Sequence, residues 1–154
     1  MSPRTVAGVA LATVFGLLAL LHVAWAFGWF STGGGAIPEL QGKPVFVPGR
    51  VATLAVAVAL LAAATVALAQ AGLILTGWPR WIPRLGAIGL GCIMVLRAIG
   101  DFRLIGFFKS VRGTQFATLD SWAYSPLCLA LGVTALWLAY EASSGSVGGP
   151  RAAP

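Results

Sequence analysis

The 154 residues read as an all-α integral-membrane protein, an antiparallel four-helix bundle. Three observations say so. Hydrophobic residues make up 58% of the chain and charged ones 9%, too few to cover a soluble domain of this size. The apolar residues fall into long runs, each near the ~20 residues that an α-helix needs to cross the bilayer hydrocarbon. Tryptophans gather near the ends of those runs, where an aromatic belt sits.

The first run covers about 5–30. Arg4 before an apolar stretch, and Ala24-Trp25-Ala26 near its end, also fit a signal peptide with an A-x-A cleavage site. Its apolar part is longer than a signal core and ends in tryptophans, so we read it as a retained span. The second run, about 51–75, holds no charge. It repeats alanine every four residues, at Ala55, Ala59, Ala63, Ala67 and Ala71, which puts small side chains on one helix face. That face reads as a packing seam inside the bundle, with a homodimer seam as the competing reading. The third run, about 85–108, opens on the smooth segment Gly86 to Gly91 and carries Arg97, Asp101 and Arg103 towards its end. The fourth covers about 121–142, where Ser125 caps a helix with Pro126 in its first turn, or Asp120 caps it earlier and Pro126 kinks it. Residues 1–143 thus form one transmembrane domain. The tail 144–154, rich in Gly, Ser, Pro and Ala, reads as disordered.

Several function classes drop out. The net charge of +6 comes from basic residues scattered between apolar runs, not from a stripe, so lipid headgroups and not nucleic acid are the expected partner. Cys92 and Cys128 lie inside apolar runs without C-x-x-C spacing, which argues for packing residues and against disulfide or thiol-relay chemistry. A single histidine excludes bis-histidine haem, and no metal-ligand spacing is present, so neither a metal nor another cofactor is expected. Gly33-Gly34-Gly35 lacks the flanking strand, helix and Lys-Ser/Thr pair of a phosphate loop and reads as a hinge.

The ionisable residues are lopsided. Antiparallel packing brings the end of the first span, the start of the second, the end of the third and the start of the fourth to one membrane face. That face receives His22, Trp25 and Trp29, then Glu39 and Lys43 from the long loop, Arg97, Asp101 and Arg103, and finally Asp120, Trp122 and Tyr124. The expectation is a shared polar pocket there. His22 and Asp101 are its acid/base candidates; Arg97, Trp25, Glu39, Arg103, Asp120 and Tyr124 are its ligand-binding candidates. Arg97 is the sharpest of these, because a guanidinium well inside a span costs at least about 2.5 kcal/mol and cannot easily discharge. It reads as a structural clamp on Asp101 one turn on, as a cavity-lining group for an anion or carbonyl, or as a side chain that snorkels to the interface. For His22 the alternative to acid/base work is a hydrogen bond between helices.

Short blocks in a fixed order carry a resemblance: His22-Val-Ala-Trp25, Ile37-Pro38, Arg97-Ala-Ile-Gly100-Asp101, Phe116 to Asp120, and Tyr124-Ser125-Pro126-Leu-Cys128. Together the chain resembles an uncharacterised bacterial membrane family, a domain of unknown function with about four spans. The resemblance implies a bacterial inner-membrane protein and no particular reaction. Three functions stay open. One is a small membrane enzyme or binding protein for an apolar or amphiphilic molecule. Another is an accessory or scaffold subunit with a structural Arg–Asp clamp, and the last a small anion transporter or channel subunit. The short, Arg-bearing connection from Trp78 to Arg84 favours cytoplasmic termini.

Overall fold

The computed structural model describes residues 1–30 and 35–144, with side chains to Glu141. Helix α1 is Pro3–Ala26, α2 Arg50–Gln70 and α3 Trp81–Ile99. A short α4, Gln115–Leu119, runs through a wide turn at Asp120–Tyr124 into α5, Ser125–Ser144. Between α1 and α2 the loop folds into a small antiparallel hairpin of β1 (Glu39–Leu40) and β2 (Lys43–Pro44). Four helices are long and apolar enough to cross a membrane: Pro3–Ala26, Arg50–Gln70, Trp81–Ile99 and Gln115–Glu141. The molecule is all-α and multi-pass, as its composition required.

Local chemistry explains where the helices start. Ser2 caps α1, its hydroxyl accepting from the Thr5 amide at 3.1 Å, with Pro3 in the first turn. Thr114 caps α4 in the same way, accepting from the Ala117 amide at 3.0 Å. Pro126 lacks an N–H and crowds the carbonyl one turn back, so the helix widens before it: the Ser125 amide donates to the Asp120 carbonyl five residues earlier.

Two hairpins make the bundle. Helix α1 packs intimately on α2 and α3 on α5, while α2–α3 and α1–α5 meet over smaller areas. Small residues permit the close approaches. A Cβ on Gly8 would collide with Ala71, and one on Gly91 would sit 3.0 Å from the Gly132 carbonyl oxygen. Leu11, Phe15, Ala63, Ala67, Leu131, Ala135 and Leu138 fill the centre. Leu17, Leu20, Val58, Leu61, Ile93 and Leu96 point outwards, where hydrocarbon is their solvent. Guanidinium groups tie the first hairpin at both ends. Arg4 donates from Nε to the Gln70 carbonyl at 3.1 Å and from Nη2 to the same oxygen. Arg50 donates from Nε to the Ala26 carbonyl at 3.0 Å. Each satisfies a carbonyl that the neighbouring helix leaves open at its C-terminus.

Several expected boundaries move. Spans one and two stop at Ala26 and Gln70, short of 30 and 75, and the fourth begins at Gln115, upstream of both caps expected at Asp120 and Ser125. The third span ends at Ile99, not near 108, because Gly100 adopts φ +93° and the chain doubles back on Gly106. Asp101 and Arg103 therefore lie beyond the helix, and Arg97 lies in its last turn, not mid-span. The alanine repeat divides: Ala63 and Ala67 are buried, Ala55 and Ala59 face outwards. Cys92 is likewise on an outer face, not packed inside. The expected disordered tail, from 145 on, and most of the triple-glycine hinge fall outside the described residues.

Candidate functional site

At the membrane face where the ends of α1 and α3 and the starts of α2 and α4 meet, two separate arrangements form. The first is ionic. Asp120 is fully buried; its Oδ1 accepts from Arg97 Nη2 at 2.7 Å, and its Oδ2 accepts from the Gly106 amide at 2.7 Å and from Lys109 Nζ at 3.0 Å. The Lys109 side chain is fully buried as well, and its ammonium donates also to the Gly106 carbonyl at 2.9 Å and to Ser121 Oγ at 2.7 Å. A carboxylate shared by two cations, with backbone and hydroxyl partners taking the remaining positions, is how a low-dielectric interior tolerates charge. The wide turn at Asp120–Tyr124 and the Gly100–Gly106 fold-back build it by turning the carboxylate and the ammonium towards each other. Two polar atoms beside it stay unmatched among the described residues: Arg97 Nη1 and Ser125 Oγ are buried without a hydrogen-bond partner.

Arg97 thus pairs with Asp120, not with Asp101. The Asp101 carboxylate instead caps its own turn, with Oδ1 accepting from the amides of Arg103, Leu104 and Ile105 at 2.9, 2.7 and 3.0 Å. The Ile105 bond above all, helped by those of Leu104 and Arg103 and opposed by burial, holds the Asp101 carboxyl below the usual carboxylate range.

The second arrangement is an apolar cavity of about 250 Å³ under the long loop, walled by Trp25, Ile37, Phe46, Pro48 and Val56. Its polar lining comes from Thr53, whose hydroxyl donates to the Gly49 carbonyl at 3.1 Å, and from His22. Nδ1 lies 2.8 Å from the Leu18 carbonyl, so it carries the ring proton and donates it, leaving Nε2 as an acceptor. The rings of His22 and Trp25 meet edge to face at 5.0 Å. Tyr124 reaches across to the loop, its hydroxyl donating to the Gly35 carbonyl at 3.1 Å.

The expected single pocket is therefore two places. His22 and Trp25 share the apolar cavity, and neither the contacts nor the cavity of His22 include Arg97, Asp101 or Asp120. Arg97 and Asp120 share the ion cluster. Arg103 is exposed, Glu39 lies on the hairpin, and Tyr124 acts as a loop anchor. Lys109, between the third and fourth apolar runs, is the cluster member that the pattern of apolar runs does not single out. One signal pointed to it: it is one of only two lysines in an arginine-rich chain. Among the described residues no group of three His, Cys, Asp or Glu side chains is placed to hold a metal ion.

A family model described as a protein of unknown function (DUF3995) matches residues 15–135. No curated protein and no solved structure matches the chain.

Proposed function

The chain belongs to the DUF3995 family of proteins of unknown function, and from its own geometry we propose that it is a membrane binding protein for an apolar molecule ending in a hydrogen-bond donor. The observation that carries this reading is the His22 cavity: largely apolar walls, and an imidazole whose Nε2 has no hydrogen-bond partner among the described residues. Such a site takes a hydroxyl-ended lipid or similar amphiphile, the chain against Trp25 and Val56 and the hydroxyl on Nε2. Binding is the better half of the earlier pair of readings. Binding asks only for the His22 acceptor, whereas the acid/base pair expected of His22 and Asp101 is not assembled: Asp101 Oδ1 accepts from three amides of its own turn.

The scaffold reading has one observation in its favour, the fully buried Asp120 with its two cations, which serves to lock α3 to the start of the fourth span. We propose a bacterial inner membrane as its location, which the family resemblance implies, and cytoplasmic termini, which the short connection with Arg80 and Arg84 between α2 and α3 favours.

The test is photolabelling of the full chain in lipid nanodiscs. A diazirine-bearing long-chain alcohol should label α1 near His22 and the loop 35–48, in preference to the matching alkane. His22→Phe should cut alcohol labelling by about tenfold, the worth of one hydrogen bond of ~1.4 kcal/mol. Equal labelling by alcohol and alkane, unchanged in the variant, would overturn the proposal.

A further inference from the structure

We propose that the opposite end of the bundle holds an anionic phospholipid, with an acyl chain between α2 and α3 and its phosphate on Arg4 and Arg80. Helices α2 and α3 meet over a small area. Between them runs an apolar trough of about 450 Å³, walled by Ala62, Val66, Ile82 and Gly86. A second cavity, of about 370 Å³, opens at the helix ends and is lined by Arg4, Thr76 and Arg80. The two adjoin, with Ala69, Leu75, Trp78 and Pro83 common to both walls. Each lies within the ~300–1,000 Å³ range of ligand sites.

The charges choose the headgroup. No acidic side chain lines either cavity. Arg4 spends Nε and one Nη2 hydrogen on the Gln70 carbonyl, which fixes the guanidinium at the cavity wall and leaves three of its five donors without a partner among the described residues. Arg80 has no hydrogen bond or ion pair among the described residues and sits at the start of α3, beside the interfacial Trp78. Two guanidiniums at one mouth complement a phosphate. The trough chooses the rest of the molecule: a free phosphate would leave it to bulk lipid, whereas a phospholipid fills trough and mouth at once. This site shares no residue with the His22 cavity, and the two proposals fail independently.

Native mass spectrometry of the full chain released from detergent tests it. Phosphatidylglycerol should be retained in preference to phosphatidylcholine of the same acyl chains. Arg80→Gln, which removes no hydrogen bond or ion pair among the described residues, should weaken retention about fivefold, and Arg4→Gln with Arg80→Gln roughly twentyfold. Ala62→Phe, on an exposed wall of the trough, should reduce retention while leaving both arginines in place. Soluble glycerol phosphate should compete poorly. Equal retention of the two lipids, no effect of Arg80→Gln, or full competition by glycerol phosphate would each overturn the assignment. Gel filtration and thermal unfolding of each variant separate lost binding from lost fold.

Discussion

Gly91 of α3 and Gly132 of α5 face each other so closely that a Cβ on either would lie 3.0 Å from the other's carbonyl oxygen. Backbone meets backbone there, and a side chain on either residue would have to push the opposite helix back. Gly132→Ala should force the helices apart and cost about 1–3 kcal/mol, the usual penalty of overpacking. Unfolding in a denaturing detergent, followed by far-UV circular dichroism, measures it. By contrast Gly89→Ala, where an added Cβ meets nothing, should be neutral or stabilising.

Removing the carboxylate of Asp120 strands two cations. Asp120→Ala should destabilise by about 3–5 kcal/mol, as expected when one partner of a buried ion group is lost. Lys109→Met alone should also destabilise. The pair of changes together should cost well under the sum of the two, and a double-mutant cycle reads that coupling directly. Strict additivity would mean the two side chains do not share one interaction.

Asp101 gives the pH dependence. Its folded-state pKa lies below the unfolded value, so its contribution is complete above about pH 4 and is lost as pH falls through the depressed value. Asp101→Ala should therefore lower the melting temperature at pH 7. The gap from the parent protein should close in strongly acidic buffer, below the range where the carboxylate survives.

Tyr124→Phe deletes the hydroxyl that holds the Gly35 carbonyl. The loss should be modest, about 0.5–1.5 kcal/mol, and local. Hydrogen exchange should quicken over 35–48 while the helices keep their protection. If exchange is unchanged there, the hydroxyl does not anchor the loop.

Length and hydropathy were enough to read the four helices, because spanning a bilayer leaves little else for such runs to do. The side of the bundle that gathers charge was legible too, from antiparallel order alone. Partner choice was not. Asp101 sits four residues beyond Arg97 and looks like its helical neighbour, but Gly100 ends the helix between them and turns Asp101 back on its own amides. A glycine followed by an aspartate is a stop signal that the continuing apolar residues Leu104 to Phe108 obscured. Lys109 was hidden for the same reason: nothing local marks a loop lysine as buried until the fold-back at Gly106 is known. His22 and Trp25 stand three residues apart on α1, a spacing that puts them on one helix face, and they share a cavity; its other walls come from the start of α2 and from the long loop, whose path no periodicity encodes.

The guanidinium ties at Arg4 and Arg50 bear on how the molecule is made. Both join α1 to α2 and neither reaches the second half, so the first pair of spans can be complete while the rest of the chain is still being synthesised. Docking of α3 and α5 against this pair within the bilayer then closes the common core of Leu11, Phe15, Leu131 and Leu138.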